Sequence, residues 1–444
     1  MEEAKNLFFP NKGHRLVVLD DDPTGIQTVQ GCLVLTVWDD IYLRMVFNDE
    51  IPFFYVLTNT RALTRNEVGR RITEVVSQIV KISLEMDQQV TFLLRSDSTL
   101  RGHFPLEIET VLEVAKLKTN ARFFVPALFE GGRITENNNQ YLFQEGKKIP
   151  CDQTEFAQDS VFGYTTSYLP EYIKEKTSEQ IKPESILNID RKLLDGNHEM
   201  QLDDFIASLI GDHYVIVNAT DYKELDRFGI SLKKAINNGS TFIIQSSSSL
   251  VKSLTGCNTR NYCVRNTSLG PGLIIIGSHV NKTTRQLVHL FREANGLKPI
   301  EIDVFRLFEN EELLLLEVKQ LLKSFMGSRT TPVIFTSRTE IAFDDRQSRM
   351  EAGLKISSFL NEIVATCPFQ PSFCISKGGI TSNEILSKGL GVHMARVIGQ
   401  ASPGVPIIEM PLEHRWPTMP YVIFPGNVGE ESTLTEVYQL LTGT

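Results

Sequence analysis

Three consecutive carboxylates, Asp20, Asp21 and Asp22, come directly after an apolar run from Leu16 to Leu19 and lead into Pro23-Thr24-Gly25. Like charges this close repel, so they need a cation, a hydrogen-bonding ligand or a raised pKa to coexist. A solvated Asp-Pro turn would have the same sequence. The preceding buried strand argues for a site instead, because open α/β sheets hold ligands beyond the carboxyl ends of their strands. A second strand exit carries Arg95, Ser96, Asp97, Ser98, Thr99 and Arg101 before Gly102. Arginine forks grip a carboxylate at two points and hydroxyls suit sugar OH groups, so this set fits a small polyhydroxy acid. An N-capped helix entry with surface arginines is its structural alternative. A third stretch, 125–133, ends in Gly131-Gly132-Arg133 and could line the same cleft, or be a plain turn into a strand at 140–143.

Three further strand exits are glycine-rich: Gly277-Ser278 ahead of a helix carrying Thr283 and Gln286, Lys377-Gly378-Gly379 with Thr381 close behind, and Gly426-Asn427-Val428-Gly429. Bare amides at a helix start attract phosphate. None has the GxxxxGK[ST] pattern, and any one alone is a weak signal. Three in one half of the chain point to a nucleotide phosphate site. Thr381 with Glu384 has the spacing of a capping box.

These exits need strands and helices to position them. Apolar runs predict strands near 15–20, 31–36, 53–57, 90–94, 122–125, 214–218 and 241–245, then near 273–276, 332–336, 373–376 and 421–424. Between them lie helices opened by Thr64 with Glu67 and by Pro105, and later ones near 283–294, 311–326 and 347–365, with Gly327 as a C-cap. Strand–helix alternation predicts an α/β fold: two α/β domains with mainly parallel sheets flanked by helices and the active site in the inter-domain cleft. The weakly periodic stretch 246–272 suggests a boundary, giving domains 1–255 and 256–444; 174–196 reads as a surface excursion. No internal repeat is evident.

Composition excludes several classes. The 444 residues carry 45 Lys+Arg against 54 Asp+Glu, a formal charge of −9, so there is no basic field for nucleic acid or an anionic bilayer. Six cysteines without a CxxC pair read as packed thiols in a reducing cytoplasm. No signal peptide or membrane span is expected. The eight histidines are dispersed, with only His103 and His279 in candidate loops.

Taken together, Asp21–Gly25, Asp97 to Gly102, Pro126 to Arg133, Gly277-Ser278 with Thr283 and Gln286, Gly378-Gly379 with Thr381, and Pro425 to Gly429 resemble the four-carbon acid sugar kinase family over nearly the whole chain. The resemblance implies an N-terminal acid-sugar-binding domain and a C-terminal nucleotide-binding domain. It also implies ATP with Mg2+ as cofactors and phosphorylation of threonate, erythronate or 3-oxo-tetronate. It assigns catalysis to Asp21, Asp22 or Asp97 and substrate binding to Arg95, Ser98, Thr99, Arg101, Gly132 and Arg133. It assigns nucleotide binding to Gly277, Ser278, Thr283, Gln286, Lys377, Gly378, Gly379, Thr381, Gly426, Asn427 and Gly429. Relatives commonly have Asp where Ile380 stands, which leaves the metal ligands open; the oligomer, a homodimer among the options, is open too. Asp20 and Asp22 alternatively fit a haloacid-dehalogenase-like phosphatase, with Asp344-Asp345 as a partial acidic pair. The third alternative is a non-catalytic acid-sugar sensor or effector.

Overall fold

The computed structural model describes residues 13–144, 146–257, 261–262, 270–277, 279, 281–338, 346–426 and 428–444. By contacts the chain divides into two compact units, Met1–Asn258 and Thr259–Thr444.

In the first unit the strands are β1 (His14–Asp20), β2 (Leu33–Leu35), β3 (Phe53–Leu57), β4 (Gln89–Arg95), β5 (Ala121–Val125), β6 (Arg133–Glu136), β7 (Asn139–Gln144), β8 (Lys147–Pro150), β9 (Leu187–Ile189), β10 (His213–Val217) and β11 (Phe242–Ser246). Eight of them form a parallel sheet in the order β2-β3-β1-β4-β11-β5-β10-β9, and β6-β7-β8 form a small antiparallel sheet. The helices are α1 (Asp40–Phe47), α2 (Arg65–Glu85), α3 (Leu106–Val114), α4 (Leu169–Lys176), α5 (Glu199–Ser208), α6 (Tyr222–Asn237) and α7 (Ser248–Thr255). The parallel strands are apolar along their length because helices cover both faces; Leu16, Val17 and Val18 are fully buried. Helix α2 buries Val68, Ile72, Val75, Val76, Ile79 and Ile82 at helical spacing, and its first turn is closed by Thr64 N–H donating to Glu67 Oε2 at 2.8 Å.

The second unit has β12 (Leu273–Ile276), β13 (Leu297–Ile302), β14 (Thr331–Thr336), β15 (Cys374–Lys377), β16 (Met394–Ser402), β17 (Val405–Glu409) and β18 (Pro420–Phe424), with helices α8 (Asn281–Glu293), α9 (Val304–Glu309), α10 (Glu311–Lys323), α11 (Arg346–Ala365), α12 (Gly379–Glu384) and α13 (Thr433–Thr442). Strands β13-β14-β12-β15-β18 are parallel, and β17 and β16 continue the sheet antiparallel. Leu287 and Leu290 of α8 and Val437 and Leu441 of α13 pack on Ile274, Ile276 and Ile375.

Both units are α/β, as expected, and both begin with one winding: β2-β3-β1-β4 in the first, β13-β14-β12-β15 in the second. In each, the chain fills one side of its first strand and then crosses to the other. The crevice at such a switch lies beyond the carboxyl ends of β1 and β12. The sequence has no visible repeat because this likeness is one of topology, which the letters do not carry.

Four local expectations are corrected. The run Ser248–Thr255, expected within the boundary stretch, is helix α7, with Ser248 and Ser249 fully buried. Stretch 174–196 is not only surface, since it supplies β9 to the sheet edge and buries Ile189 and Leu194. Helix α10 is capped at Ser324, and Gly327 makes its positive-φ turn three residues later. Helix α12 starts at Gly379 after Gly378, so Thr381 lies inside it rather than capping it. Strands β13, β16 and β17 have no clear sequence signal: β13 carries Pro299, and β16 is bulged at Val397/Gly399 and Gln400/Ser402, which breaks the alternation.

Candidate functional site

Register brings the strand exits of the first unit level. Asp20 pairs with Leu57 of β3 and with Arg95 of β4, and Ser246 of β11 pairs with Arg95 and with Val125 of β5. The exit loops therefore gather at one edge of the sheet. The acids at the β1 exit meet Thr58 and Arg61 just after β3 and Arg95 of β4, and Arg95 in turn reaches Ser248 after β11.

The three acids divide by environment. Asp20 is fully buried, with Oδ1 3.2 Å from Arg95 Nη1 and Oδ2 without a partner. A Cβ on Gly25 would stand 2.0 Å from that Oδ2, so only glycine lets the turn close over the carboxyl. Burial pushes Asp20 up to about 8, against the pull of Arg95, so it is largely neutral at pH 7. Asp21 is gripped at two points by Arg61, Nε–Oδ2 3.1 Å and Nη2–Oδ1 2.6 Å, with Arg95 Nη1 3.3 Å away. Asp22 is the more open one. Its Oδ1 accepts from Thr24 N–H at 2.9 Å, and its Oδ2 lies 3.6 Å from Arg61 Nη1. Burial opposes its charge, but Arg61, Arg95 and the Thr24 bonds hold Asp22 below the ordinary carboxylate value.

Asp97 accepts from Arg101 Nε at 2.7 Å and from the Thr99 hydroxyl. Despite burial, Arg101, Arg61 and these bonds hold it well below the carboxylate range. Beside the acids Glu107 takes the Thr60 hydroxyl at 2.6 Å, and burial pushes it up to about 7.

The loop after β4 is fixed from behind. Gln140 Nε2 donates to Ser98 O at 2.8 Å, Tyr164 OH to Thr99 O at 2.9 Å and Tyr172 OH to Leu100 O at 2.8 Å. Three successive carbonyls are thus held by three buried side chains, and Leu100 is kept at φ 67°. A small cavity here is lined by Asp97, Arg101, Pro126, Tyr172, Gln245 and Ser246, among others.

Expectations for single residues shift accordingly. Arg95, expected on substrate, is 4% exposed and occupied by Asp20, Asp21, the Asp22 carbonyl and Ser248 Oγ, so it organises the acids instead. The Thr99 hydroxyl likewise belongs to Asp97. Ser98 is buried, and Gly132 makes a positive-φ turn at 69°. Arg101 lies over the Phe156 ring at 4.8 Å, with Asp159 at 3.7 Å. Arg61 is a site residue that sequence reasoning missed, although it stands beyond an apolar strand just as the other exits do. Gln140, Tyr164 and Tyr172 carried no local signal.

In the second unit the glycine exits stand at the ends of β12, β15 and β18. A Cβ on Gly277 would meet Thr381 Oγ1 at 2.3 Å, so these two exits touch. Thr283 and Gln286 are fully buried and face inward: Thr283 Oγ1 donates to Gly426 O at 3.0 Å, and Gln286 Nε2 to Val428 O at 3.1 Å and Glu430 O at 2.7 Å. Both side chains therefore hold the loop after β18. Lys377, fully buried, donates to Pro425 O at 3.0 Å and lies 3.8 Å from the Phe424 ring centre. Burial, with Lys282 nearby, pushes Lys377 down to about 6. Gly378 donates to Phe424 O at 2.8 Å; Gly379 opens α12, and Gly429 has φ 81°. Ser278, Asn427, Asp344 and Asp345 lie outside the described residues.

Among the described residues no three His, Cys, Asp or Glu side chains converge on a metal position, and no helix is long and apolar enough to cross a membrane. Cys32, Cys151, Cys257, Cys367 and Cys374 are buried thiols.

Comparison with curated proteins gave no match. Among solved structures, a Haemophilus influenzae protein is similar at 15% identity and TM-score 0.64, covering 96% of this chain and 100% of its own. A Salmonella typhimurium protein described as a tRNA synthase is similar at 15% identity and TM-score 0.70, covering 95% of this chain and 98% of its own. At this identity the likeness concerns fold alone. Family models match on both units: a sugar-binding N-terminal domain over residues 16–254 and a nucleotide-binding C-terminal domain over residues 273–434. By these matches the chain belongs to the four-carbon acid sugar kinase family.

Proposed function

We propose that the protein is an ATP-dependent kinase that phosphorylates the terminal hydroxyl of a four-carbon sugar acid of the threonate, erythronate or 3-oxo-tetronate type. The observation that carries this reading is the acid cluster at the β1 exit. One carboxyl, Asp20, is neutral and sealed; one, Asp21, is locked by Arg61; one, Asp22, is ionised and partly exposed. Phosphoryl transfer asks for alignment and charge neutralisation more than for covalent chemistry. Asp22 is suited to orient the attacking hydroxyl and accept its proton as the phosphoryl group moves. Asp21 and Arg61 keep Asp22 in place, and Arg95 holds the row together.

Magnesium would neutralise phosphate charge. The described residues provide no three-ligand cage, and Arg61 and Arg101 occupy Asp21 and Asp97. That donor set suits an ion carried on the nucleotide phosphates rather than a resident one. In the nucleotide-binding unit, Thr283, Gln286 and Lys377 draw loop carbonyls inward, which supports amides facing a phosphate from the other side.

A phosphatase using Asp20 as nucleophile is disfavoured, since that carboxyl is buried, neutral and covered by Gly25. The deciding experiment is ADP release measured over a panel of four-carbon sugar acids, with 31P NMR of the product. Acid-dependent ADP and a phosphate monoester are expected. Acid binding without ADP release would make the protein a sensor.

A further inference from the structure

Glu107 is a buried carboxyl that the proposed chemistry does not use. It sits in the first turn of α3, and its Oε1 accepts from the fully buried Thr60 hydroxyl at 2.6 Å. Burial and the neighbouring Asp21 charge push Glu107 up to about 7, against the pull of Thr60 and Arg61. Such a group is costly where an apolar side chain would pack freely, and the other buried residues of α3 are Ile108 and Val111. The start of a helix favours an acid, but Glu109 in the same turn meets that preference from the surface, where it pairs with Arg122.

What Glu107 holds is the turn that carries Arg61. Asn59, at φ 51°, leads the chain from β3 into the single turn Thr60–Ala62. A left-handed residue here keeps its conformation because the surroundings over-determine it. The backbone is stitched to the acid row: Thr58 N–H and Asn59 N–H donate to Asp20 O at 2.9 Å and 3.3 Å, and Arg61 N–H donates to Asp21 O at 3.4 Å. From α3 and the loop before it, Glu107 takes the Thr60 side chain and His103 Nε2 lies 3.1 Å from Leu63 O. Arg61 leaves the middle of this turn to fork onto Asp21 and to reach Asp22 at 3.6 Å. A guanidinium that meets two carboxylates at once depends on where its backbone stands, and small misplacements of aligned groups are expensive in rate.

We propose that Glu107 is a positioning residue: through the Thr60 hydroxyl it fixes the turn from which Arg61 grips Asp21 and steadies Asp22, an inference that rests on the kinase function proposed for this chain. Helix α3 then supports the acid row although none of its side chains belongs to that row.

The test uses the full chain and reads kcat, KM and melting temperature together. Glu107→Ala should lower kcat by about 10-fold, the worth of one hydrogen bond to a charged group, with KM for the acid and for ATP near wild type. Thr60→Val removes the donor and should match it, which also covers the case in which Glu107→Ala does not fold. Glu107→Gln keeps an acceptor for Thr60 and should recover most of the lost kcat. The decisive measurement combines Glu107→Ala with Asp22→Asn. If Glu107 acts through the acid row, the double variant turns over no more slowly than Asp22→Asn alone, whereas independent effects multiply. A multiplied loss, or a Glu107→Ala protein that melts lower yet keeps wild-type kcat, would make Glu107 structural only and overturn the inference while the kinase reading stands. If wild type releases no ADP with any four-carbon acid, the kinase reading fails and takes the positioning role with it.

Discussion

Asp20, Asp21 and Asp22 are identical in chemistry and adjacent in sequence, yet they hold three different states, because a single strand exit turns one inward, one toward Arg61 and one outward. Replacing Asp22 with Asn should lower kcat by about 100-fold or more, the usual contribution of a positioned acid–base group. Nucleotide affinity should stay near wild type in a fluorescent-nucleotide titration, and retained turnover would exclude Asp22 as the proton acceptor. Asp20 makes a prediction about stability. Its carboxyl is raised to about 8 in the fold, against the ordinary unfolded value near 4. The folded state therefore holds the proton more tightly, and its stabilising effect is complete below about pH 4 and lost as pH rises through about 8. Thermal melts from pH 5 to 9 should show wild type losing stability more steeply than Asp20→Asn, in which nothing titrates at that position.

At the level of elements, loops in both units are shaped from behind by buried polar side chains. Tyr172, in the first turn of α4, reaches Leu100 O, and Gln140 of β7 reaches Ser98 O, so the small antiparallel sheet and α4 support the β4 exit. Tyr172→Phe leaves a buried carbonyl without its donor, at a cost of about 1–3 kcal/mol. It should raise KM for the acid several-fold with little change in KM for ATP. The mirror experiment concerns α8: Gln286→Leu frees Val428 O and Glu430 O, and should raise KM for ATP while leaving KM for the acid unchanged. If either variant moved both constants together, the loop would have no specific role in that unit's ligand.

For the whole molecule, a formal charge of −9 sets what it meets in solution. The structural likeness to a Salmonella typhimurium protein described as a tRNA synthase gives no reason to expect RNA binding here, and an acidic chain has few counterions to displace from a phosphate backbone. A gel-shift titration with tRNA at about 150 mM salt should give no specific complex. The paired winding of the two sheets is also a property at this scale: the same four-strand order places one switch crevice in the sugar-binding unit and one in the nucleotide-binding unit.

Sequence alone determined the α/β class, most strand exits and their chemistry, because apolar runs, capping signals and glycines act over a few residues. The β1 strand, the Thr64–Glu67 cap and the acid row were all visible for that reason. Which arginine faces which acid was decided only by tertiary structure. Arg61 and Asp21 are 40 positions apart and Arg95 and Asp20 are 75, and parallel register, not local pattern, brings them level. The same holds for Thr283 and Gln286, whose letters suit a phosphate site but whose burial turns them onto the Gly426–Glu430 carbonyls. Side-chain direction is set by the neighbours that pack against an element, and a chain read one residue at a time does not contain that contact.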